Sequence, residues 1–298
     1  MKHQELLLQE VRKYLSDEQS IIEEIAGILG ISYDASHRRV AMKSKFSIEE
    51  TVKLCQYFSI SFDALLGDKH KVLTDKTLPI QSLTDFKNYF EQSAAHLEKY
   101  QGKTATMYYS AKDIPLFYTI GGTLLSKFKL YVWTQLLIKQ DKQIPFDRFT
   151  VNVSLLEATA QLKSVYESAE VVEIWNDTTI NSSLQQIYYF FESGLIAHET
   201  ALLLLAEVDK IVTAVEAKTN LNSERYKLYY NELLILNNTV LVSCEHQKSL
   251  FVPYNMVGYF ITENKATCQE AEYFFENQVY NSKLLQSSGK RDRNLFFN

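Results

Sequence analysis

Residues 20–45 read SIIEEIAGILGISYDASHRRVAMKSK, and this stretch determines how the N-terminal region of the chain is interpreted. Its pattern predicts two short helices joined by a tight turn. A capping-box spacing at Ser20 begins the first helix, and Gly30 supplies the positive φ with which the chain can leave that helix sharply. Ser32 can cap the second helix, which begins at Tyr33.

Positive charge is concentrated on the second of these helices. Between Ala35 and Ile48 the chain carries five basic or histidine residues and no acid, whereas the region up to Asp34 holds seven acids. Two helices that cross at a steep angle need a small residue at their contact and a glycine at the reversal, and Ala26 and Gly30 occupy those places. The pattern therefore predicts a helix pair with a basic outer surface.

Further helical segments complete this region. One lies at residues 4–15, another begins at a second capping box at Ser47, and a last short helix is expected in the closing segment SFDALLG at 61–67. Residues 4–67, about a fifth of the chain, resemble the five-helix DNA-binding domain of the Cro/repressor-type (XRE-like) helix-turn-helix regulators, including that ending. The C-terminal region carries no such resemblance. We therefore assign residues 1–67 to an all-α helix-turn-helix DNA-binding domain.

The resemblance implies that the helix at 33–42 enters the major groove of double-stranded DNA. Arg38 could pair bidentately with guanine, and Asp34 could accept a hydrogen bond from cytosine. Carried over position by position, the residues that would face base edges are Ser32, Tyr33, Asp34, His37 and Arg38. The residues that would hold phosphates, where charge alone suffices, are Arg39, Lys43 and Lys45.

The second helix departs from the family pattern at two positions. Ser36 and Arg39 stand where the pattern expects apolar residues, near the middle and end of the helix. Ala35 and Val40 could provide the packing if the helix is rotated slightly. Which of Arg38 and Arg39 faces bases then stays open, as does the alternative of a small helical bundle with a solvated basic face.

Composition limits what the whole chain can do. Its 298 residues fit two domains, or one small and one large domain, and 46% hydrophobic with 22% charged residues is ordinary for a soluble globular protein. The net charge of −5 argues against indiscriminate binding to nucleic acid, so any DNA contact must be local.

Two lysines interrupt the hydrophobic segment 114–138, which predicts a buried helix rather than a membrane span. Three scattered cysteines indicate a reducing compartment, and we expect a cytoplasmic protein.

The rest of the chain predicts a linker and a larger mixed domain. We assign residues 68–100 to a polar linker and an amphipathic coupling helix, in which Leu83, Phe86, Phe90, Ala94 and Leu97 recur at helical spacing. This helix could pair with its twin in a dimer or dock on the next domain. Strands and helices mix over 101–298, which indicates an α/β or α+β domain. The elements predicted there include strands at 104–110 and 170–175, a long buried helix at 116–138, a hairpin turn at 237–238 and a polar tail.

An aromatic cluster surrounds the strand at 170–175 and the helix after it. Large aromatic residues usually form core, but they also line ligand pockets together with a few polar groups. The residues of this candidate pocket for a small-molecule effector are Trp175, Asn176, Asn181, Tyr188 and Tyr189.

The sequence contains no recognisable catalytic motif. Cys244 and His246 could ligate a metal but have no second pair, and His198 with Glu199 has no nucleophile nearby. We therefore expect no enzyme, no cofactor and no metal site.

The sequence predicts a homodimeric one-component transcription regulator, repressor-like in its DNA-binding domain, with a C-terminal domain for ligand sensing or dimerisation. The alternatives are an enzyme or a protein-interaction module that the N-terminal domain directs to DNA.

Overall fold

The computed structural model describes residues 2–16, 19–58, 60, 71–139, 142–220, 225–245 and 247–297. The chain divides into two compact units, Met1–Leu73 and Thr74–Asn298. It combines helices with one eight-stranded sheet in the described residues, in keeping with a helical unit followed by a mixed α/β unit. The short helix expected at 61–66 lies outside the described residues.

Helices make up the regular structure described in the first unit. They enclose a small core that contains Leu7, Val11, Ile25 and Leu54, each of which is at most 1% exposed. The helices are α1 (Lys2–Arg12), α2 (Ile21–Leu29), α3 (Tyr33–Val40) and α4 (Ile48–Tyr57).

The ends of these helices follow most of the local signals in the sequence. Gly30 ends α2 with a φ of 70°, Ser32 accepts a hydrogen bond from the backbone of α3, and Ser47 forms a full capping box with Glu50. Ser20 differs, because it lies at the N-cap of α2 but makes no side-chain capping bond. The capping box predicted there is wrong, and packing of the apolar face of α2 maintains the helix instead.

The second unit is built on a mixed sheet. Its strand order is β1-β7-β6-β5-β2-β3-β4-β8, in which β3 runs parallel to both β2 and β4 and the other pairings are antiparallel. The strands are β1 (Asp75–Lys76), β2 (Thr106–Ala111), β3 (Glu170–Trp175), β4 (Tyr226–Tyr230), β5 (Val240–Ser243), β6 (Lys248–Pro253), β7 (Tyr259–Thr262) and β8 (Lys283–Leu284). The helices are α5 (Leu83–Glu98), α6 (Leu124–Leu137), α7 (Val153–Ser168), α8 (Asp177–Glu192), α9 (His198–Asn220), α10 (Lys265–Tyr280) and α11 (Lys290–Phe297).

The two faces of the sheet are covered by different helices. Met107 and Trp175 belong to the core formed with α5–α9, whereas Ile174 and Leu250 on the opposite face pack with Phe275 of α10. Neighbouring residues in a strand point to opposite faces, so Ile174 and Trp175 contribute to separate cores. The sheet is therefore the middle layer of three.

Helix α5, the expected coupling helix, belongs to the second unit. It packs against α7, and Phe86, Phe90 and Ala94 on its inner face are fully buried. The structure thus shows docking, one of the two alternatives, and this face is not available for pairing with a twin. Part of the expected linker is also regular, since Asp75–Lys76 forms the edge strand β1 beside β7.

Three predictions for the larger domain are wrong in detail. The helix expected at 116–138 is a short 3₁₀ turn followed by α6, because Gly121 and Gly122 adopt φ values of 100° and 85° and break it. Asn238 has the expected positive φ, but the hairpin predicted around it, with strands at 233–236 and 239–243, does not form: residues 233–236 are not a strand, and β5 pairs with β2 and β6. The polar tail forms α11, which Arg293 fixes to the carbonyl of Leu285. Among the described helices, none is both long and apolar enough to cross a bilayer.

Gly27 within α2 and Gly30 directly after it test the geometry with which this helix ends. Both Gly27 and Gly30 have open space where a Cβ would be, but only Gly30 has a positive φ. Gly30→Ala should cost about 1–2 kcal/mol of stability in the first unit, because an L-residue is strained in the left-handed region. Gly27→Ala, the matched control inside the helix, should be neutral or stabilising by up to about 1 kcal/mol. Hydrogen exchange of buried amides in α2 and α4 measures both, and equal effects would contradict this geometry.

Candidate functional site

The outer side of α3 carries the residues expected to read bases. Tyr33 is 54% exposed, and its ring lies parallel to that of His37 with 6.5 Å between ring centroids. Positions 33, 34, 37 and 38 lie on one side of a helix by its 3.6-residue period. The exposed residues are Ser32, Tyr33, Asp34, His37 and Arg38. All five residues predicted from the resemblance are therefore accessible, although Ser32 also uses its hydroxyl to cap α3.

Ser36 fixes the opposite side of α3 against α2. It is fully buried, and its hydroxyl donates to the carbonyl of Ile22 at 2.7 Å. A buried hydroxyl without a partner would cost free energy, but this one is satisfied. Ser36 thus occupies the packing position where an apolar residue was expected.

Arg39 also points inward, unlike its neighbour Arg38. Its Nε and Nη2 donate to the two carboxylate oxygens of Glu50 at 3.0 and 2.7 Å, and Nη1 donates to the carbonyl of Ala35. Glu50 in turn accepts from the backbone of Ser47 at the start of α4. Arg39 is therefore an internal link between α3 and α4, and three of its five N–H donors are used within the protein rather than offered to DNA phosphate.

A glutamine of α1 holds the segment after α3. The amide nitrogen of Gln4 donates to the carbonyls of Arg39 and Ser44 at 2.8 and 2.9 Å, and its oxygen accepts from the N–H of Phe46. Lys43 and Lys45 lie in this segment and are exposed. Two of the three residues predicted to contact phosphate, Lys43 and Lys45, therefore lie on a loop that α1 supports.

The link between Arg39 and Glu50 predicts a pH-dependent coupling. The hydrogen bond from Arg39 holds the pKa of Glu50 below its usual value of 4.5, so stabilisation is present above that pH and is lost as the pH falls through the lowered value. Arg39→Ala should cost the first unit about 1–3 kcal/mol near neutral pH. A double-mutant cycle with Glu50→Ala should show coupling that vanishes in acid, and a coupling independent of pH would contradict the ion pair.

The aromatic pocket expected around Trp175 is not assembled. Trp175 is fully buried in the core, whereas Tyr188 and Tyr189 are 64% and 59% exposed on the outer side of α8. The two tyrosines face outward because Ile187 and Phe190 occupy the inner positions of that helix. Of the five predicted residues, only two line a common cavity of about 390 Å³, whose polar lining includes Asn176, Asp177, Asn181 and Asp209.

A second cavity of about 460 Å³ lies at the carboxyl end of β2. That end of a parallel strand is where ligands commonly bind in open α/β sheets. The aromatic part of its lining is Tyr89, Tyr109, Trp133, Tyr254 and Tyr259. The polar part includes Lys112, Asp113, Ser182, Gln186, Asn237, Asn238 and Asn255.

One wall of this cavity is fixed by a buried ion pair. Lys129 is 1% exposed, and its Nζ lies 2.7 Å from Asp113 and 2.9 Å from the side-chain oxygen of Gln186. The other oxygen of Asp113 accepts from the hydroxyl of Ser183 and from the N–H of Ile114. Three donors from the protein hold this carboxylate, and the ammonium of Lys129 balances its charge within the wall.

A buried carboxylate lies among tyrosines on the same face of the sheet. Glu173, in the middle of β3, is fully buried and accepts hydrogen bonds from Tyr118, Tyr166 and Tyr226. The ammonium of Lys218 lies 4.9–5.9 Å from the centroids of these three rings. Burial raises the pKa of Glu173 above its usual 4.5, although the phenols and Lys218 act in the opposite direction.

Glu173 should therefore make the protein less stable as pH rises. The folded chain holds the proton more tightly than the unfolded chain, so this group's stabilisation is full below pH 4.5 and is lost as pH rises through the raised pKa. Glu173→Gln cannot ionise, so the stability of the natural chain relative to this variant should fall as pH rises above 4.5. Urea unfolding over a pH series that starts at 4.5 measures this difference, and an unchanged or rising difference would contradict it.

Neither a search for metal sites nor comparisons with known proteins assign a function to these residues. Within the described residues, no group of three or more His, Cys, Asp and Glu side chains is arranged to hold a metal ion. His246 lies outside those residues, so the arrangement of Cys244 and His246, the two possible ligands named from the sequence, is not described. Comparisons of the chain with protein-family models, curated proteins and solved structures found no match.

The sequence did not predict the cavity at the carboxyl end of β2. Its lining comes from segments near residues 89, 112, 133, 186, 238 and 255, which only the folded sheet brings together. The available signal was Lys112-Asp113 directly after a predicted strand, since polar residues at a strand's carboxyl end often face a binding crevice.

Proposed function

We propose that the protein is a DNA-binding transcription regulator in which α2, its turn and α3 form a helix-turn-helix. The observation that carries this proposal is the contrast between two adjacent arginines. Arg38 is exposed on the same side of α3 as Tyr33 and His37, whereas Arg39 is bound to Glu50. In this class of protein the second helix lies in the major groove and its early residues meet base edges.

The exposed side chains have the chemistry that base reading needs. Arg38 suits the O6 and N7 acceptors of guanine, and Asp34 suits the amino group of cytosine. Lys43 and Lys45 follow α3 on an exposed loop and would contact phosphates, which position the protein but carry no sequence information. With a net charge of −5 on the chain, binding would be confined to this basic surface.

The proposed active form is a homodimer. A recognition helix as short as α3, with eight residues, meets only a few base pairs. Two copies can meet successive major grooves on one side of DNA when their recognition helices are about 34–36 Å apart. The second unit supplies cavities of ligand size, and an effector that prefers one dimer geometry would shift the population towards it.

Variants of Arg38 and Lys43 test the proposal on duplexes enriched from a random library. Arg38→Ala should weaken binding to the enriched duplex by about 1–3 kcal/mol and leave stability unchanged. Lys43→Ala should weaken binding to all duplexes and reduce the slope of log K against log salt by about 1. Fluorescence anisotropy of a labelled duplex at several salt concentrations measures both effects.

The control is Arg39→Ala, which should lower the stability of the first unit as described above. If the full chain enriches no duplex, or if its binding to duplex DNA does not weaken with salt, the regulator is refuted. If Arg38→Ala binds as tightly as the natural chain, α3 is not the reading helix.

A further inference from the structure

We infer that the cavity at the carboxyl end of β2 binds a flat aromatic molecule that carries a carboxylate. The site is inferred from the cavity itself, and only its role as an effector site rests on the proposed function. The cavity volume of about 460 Å³ lies in the range of small-molecule sites, about 300–1,000 Å³.

Each carboxamide oxygen of the lining accepts at least one hydrogen bond from the protein. The oxygen of Asn238 accepts from the N–H groups of Lys112 and Asp113, at 2.8 and 3.2 Å. The oxygen of Asn255 accepts from Val257 at 3.1 Å. Because each partner is an N–H donor, the oxygen must face it, and the orientation of each amide follows.

The remaining two carboxamides follow the same rule. The oxygen of Asn237 accepts from the N–H of Thr239, and that of Gln186 accepts from Lys129. Within the described part of the chain, the amide N–H₂ groups of all four side chains have no acceptor. The polar wall therefore offers four amide N–H₂ groups as hydrogen-bond donors, which a ligand with acceptors would match.

Charge on the lining favours an anion. Lys112 is exposed and makes no ion pair with any described residue. Asp113, the one carboxylate of the lining, is neutralised by Lys129 at 2.7 Å. The unbalanced charge that faces a ligand is therefore the ammonium of Lys112, which attracts a carboxylate.

The opposite part of the lining favours a flat apolar body. Tyr89, Tyr109 and Trp133 are each at most 7% exposed, so their rings are held in place by packing. The hydroxyl of Tyr259 donates to the carbonyl of Asn238 at 3.3 Å and joins the aromatic wall to the polar one. Rigid rings beside convergent donors match an aromatic ring with a carboxylate at its edge.

The test is isothermal titration of the full chain with benzoate, 4-hydroxybenzoate, 2-naphthoate and indole-3-acetate. At least one of these should bind, and benzamidine, which has the shape of benzoate and the opposite charge, should bind at least about tenfold more weakly. Lys112→Met should weaken carboxylate binding by about tenfold. Asp209→Asn, in the separate cavity beside Asn176, is the matched control and should leave binding unchanged.

Fluorescence assigns the binding to this cavity. The chain has two tryptophans, of which Trp133 lines the cavity and Trp175 does not. Ligand should change the emission of the natural chain, and Trp133→Phe should lose most of that response while Trp175 still reports folding. If none of the four carboxylates binds, if benzamidine binds equally well, or if Lys112→Met has no effect, the inference is overturned.

The test also separates this site from the regulator. A chain that binds an aromatic carboxylate but no duplex DNA would keep the site and refute the proposed function. A chain that binds duplex DNA but none of the carboxylates would refute the site alone.

Discussion

Polar side chains occupy positions in both cores where an apolar residue would pack more simply, and the structure depends on the partner that each one has. Ser36 donates to the carbonyl of Ile22, Arg39 is bound by Glu50, and Lys129 is bound by Asp113. A buried polar group that lost such a partner would cost free energy comparable to a substantial part of a domain's stability. These partners therefore fix the orientation of the side chains and helices that they hold, and they also contribute to stability. They determine which side of α3 is exposed in the first unit and which groups of the β2 cavity stay unpaired in the second.

The same constraint distinguishes residues that stabilise from residues that are free to bind. Arg38 and Arg39 are adjacent and chemically identical, yet only Arg39 has its guanidinium bound within the protein. In the cavity, Asp113 is held by three donors from the protein, while Lys112 beside it is exposed. Among the described residues, Arg38 and Lys112 have no side-chain partner within the protein, and we assign both to external ligands.

Much of the first unit could be predicted because its signals are local. Gly30 and the capping box at Ser47 act within a few residues. In the second unit, β3 likewise has the bounds that its pattern predicted. The partner of Arg39 lies 11 positions further along the chain, so no local pattern gives it. The outward orientation of Tyr188 depends on which side of α8 meets the sheet, which the helix pattern leaves undetermined. Apart from Lys112 and Asp113, the lining of the β2 cavity could not be predicted for the same reason, since only the folded sheet brings its distant segments together.

The central claim is that the exposed side of α3 reads DNA sequence and that Arg38 is part of the reading surface. Selection of binding sites from a random duplex library, carried out in parallel with the natural chain and with Arg38→Ala, tests this claim most directly. The account predicts that both proteins select sites of the same length and symmetry, and that the variant loses its preference at one base pair in each half-site. An unchanged preference at every position would contradict it.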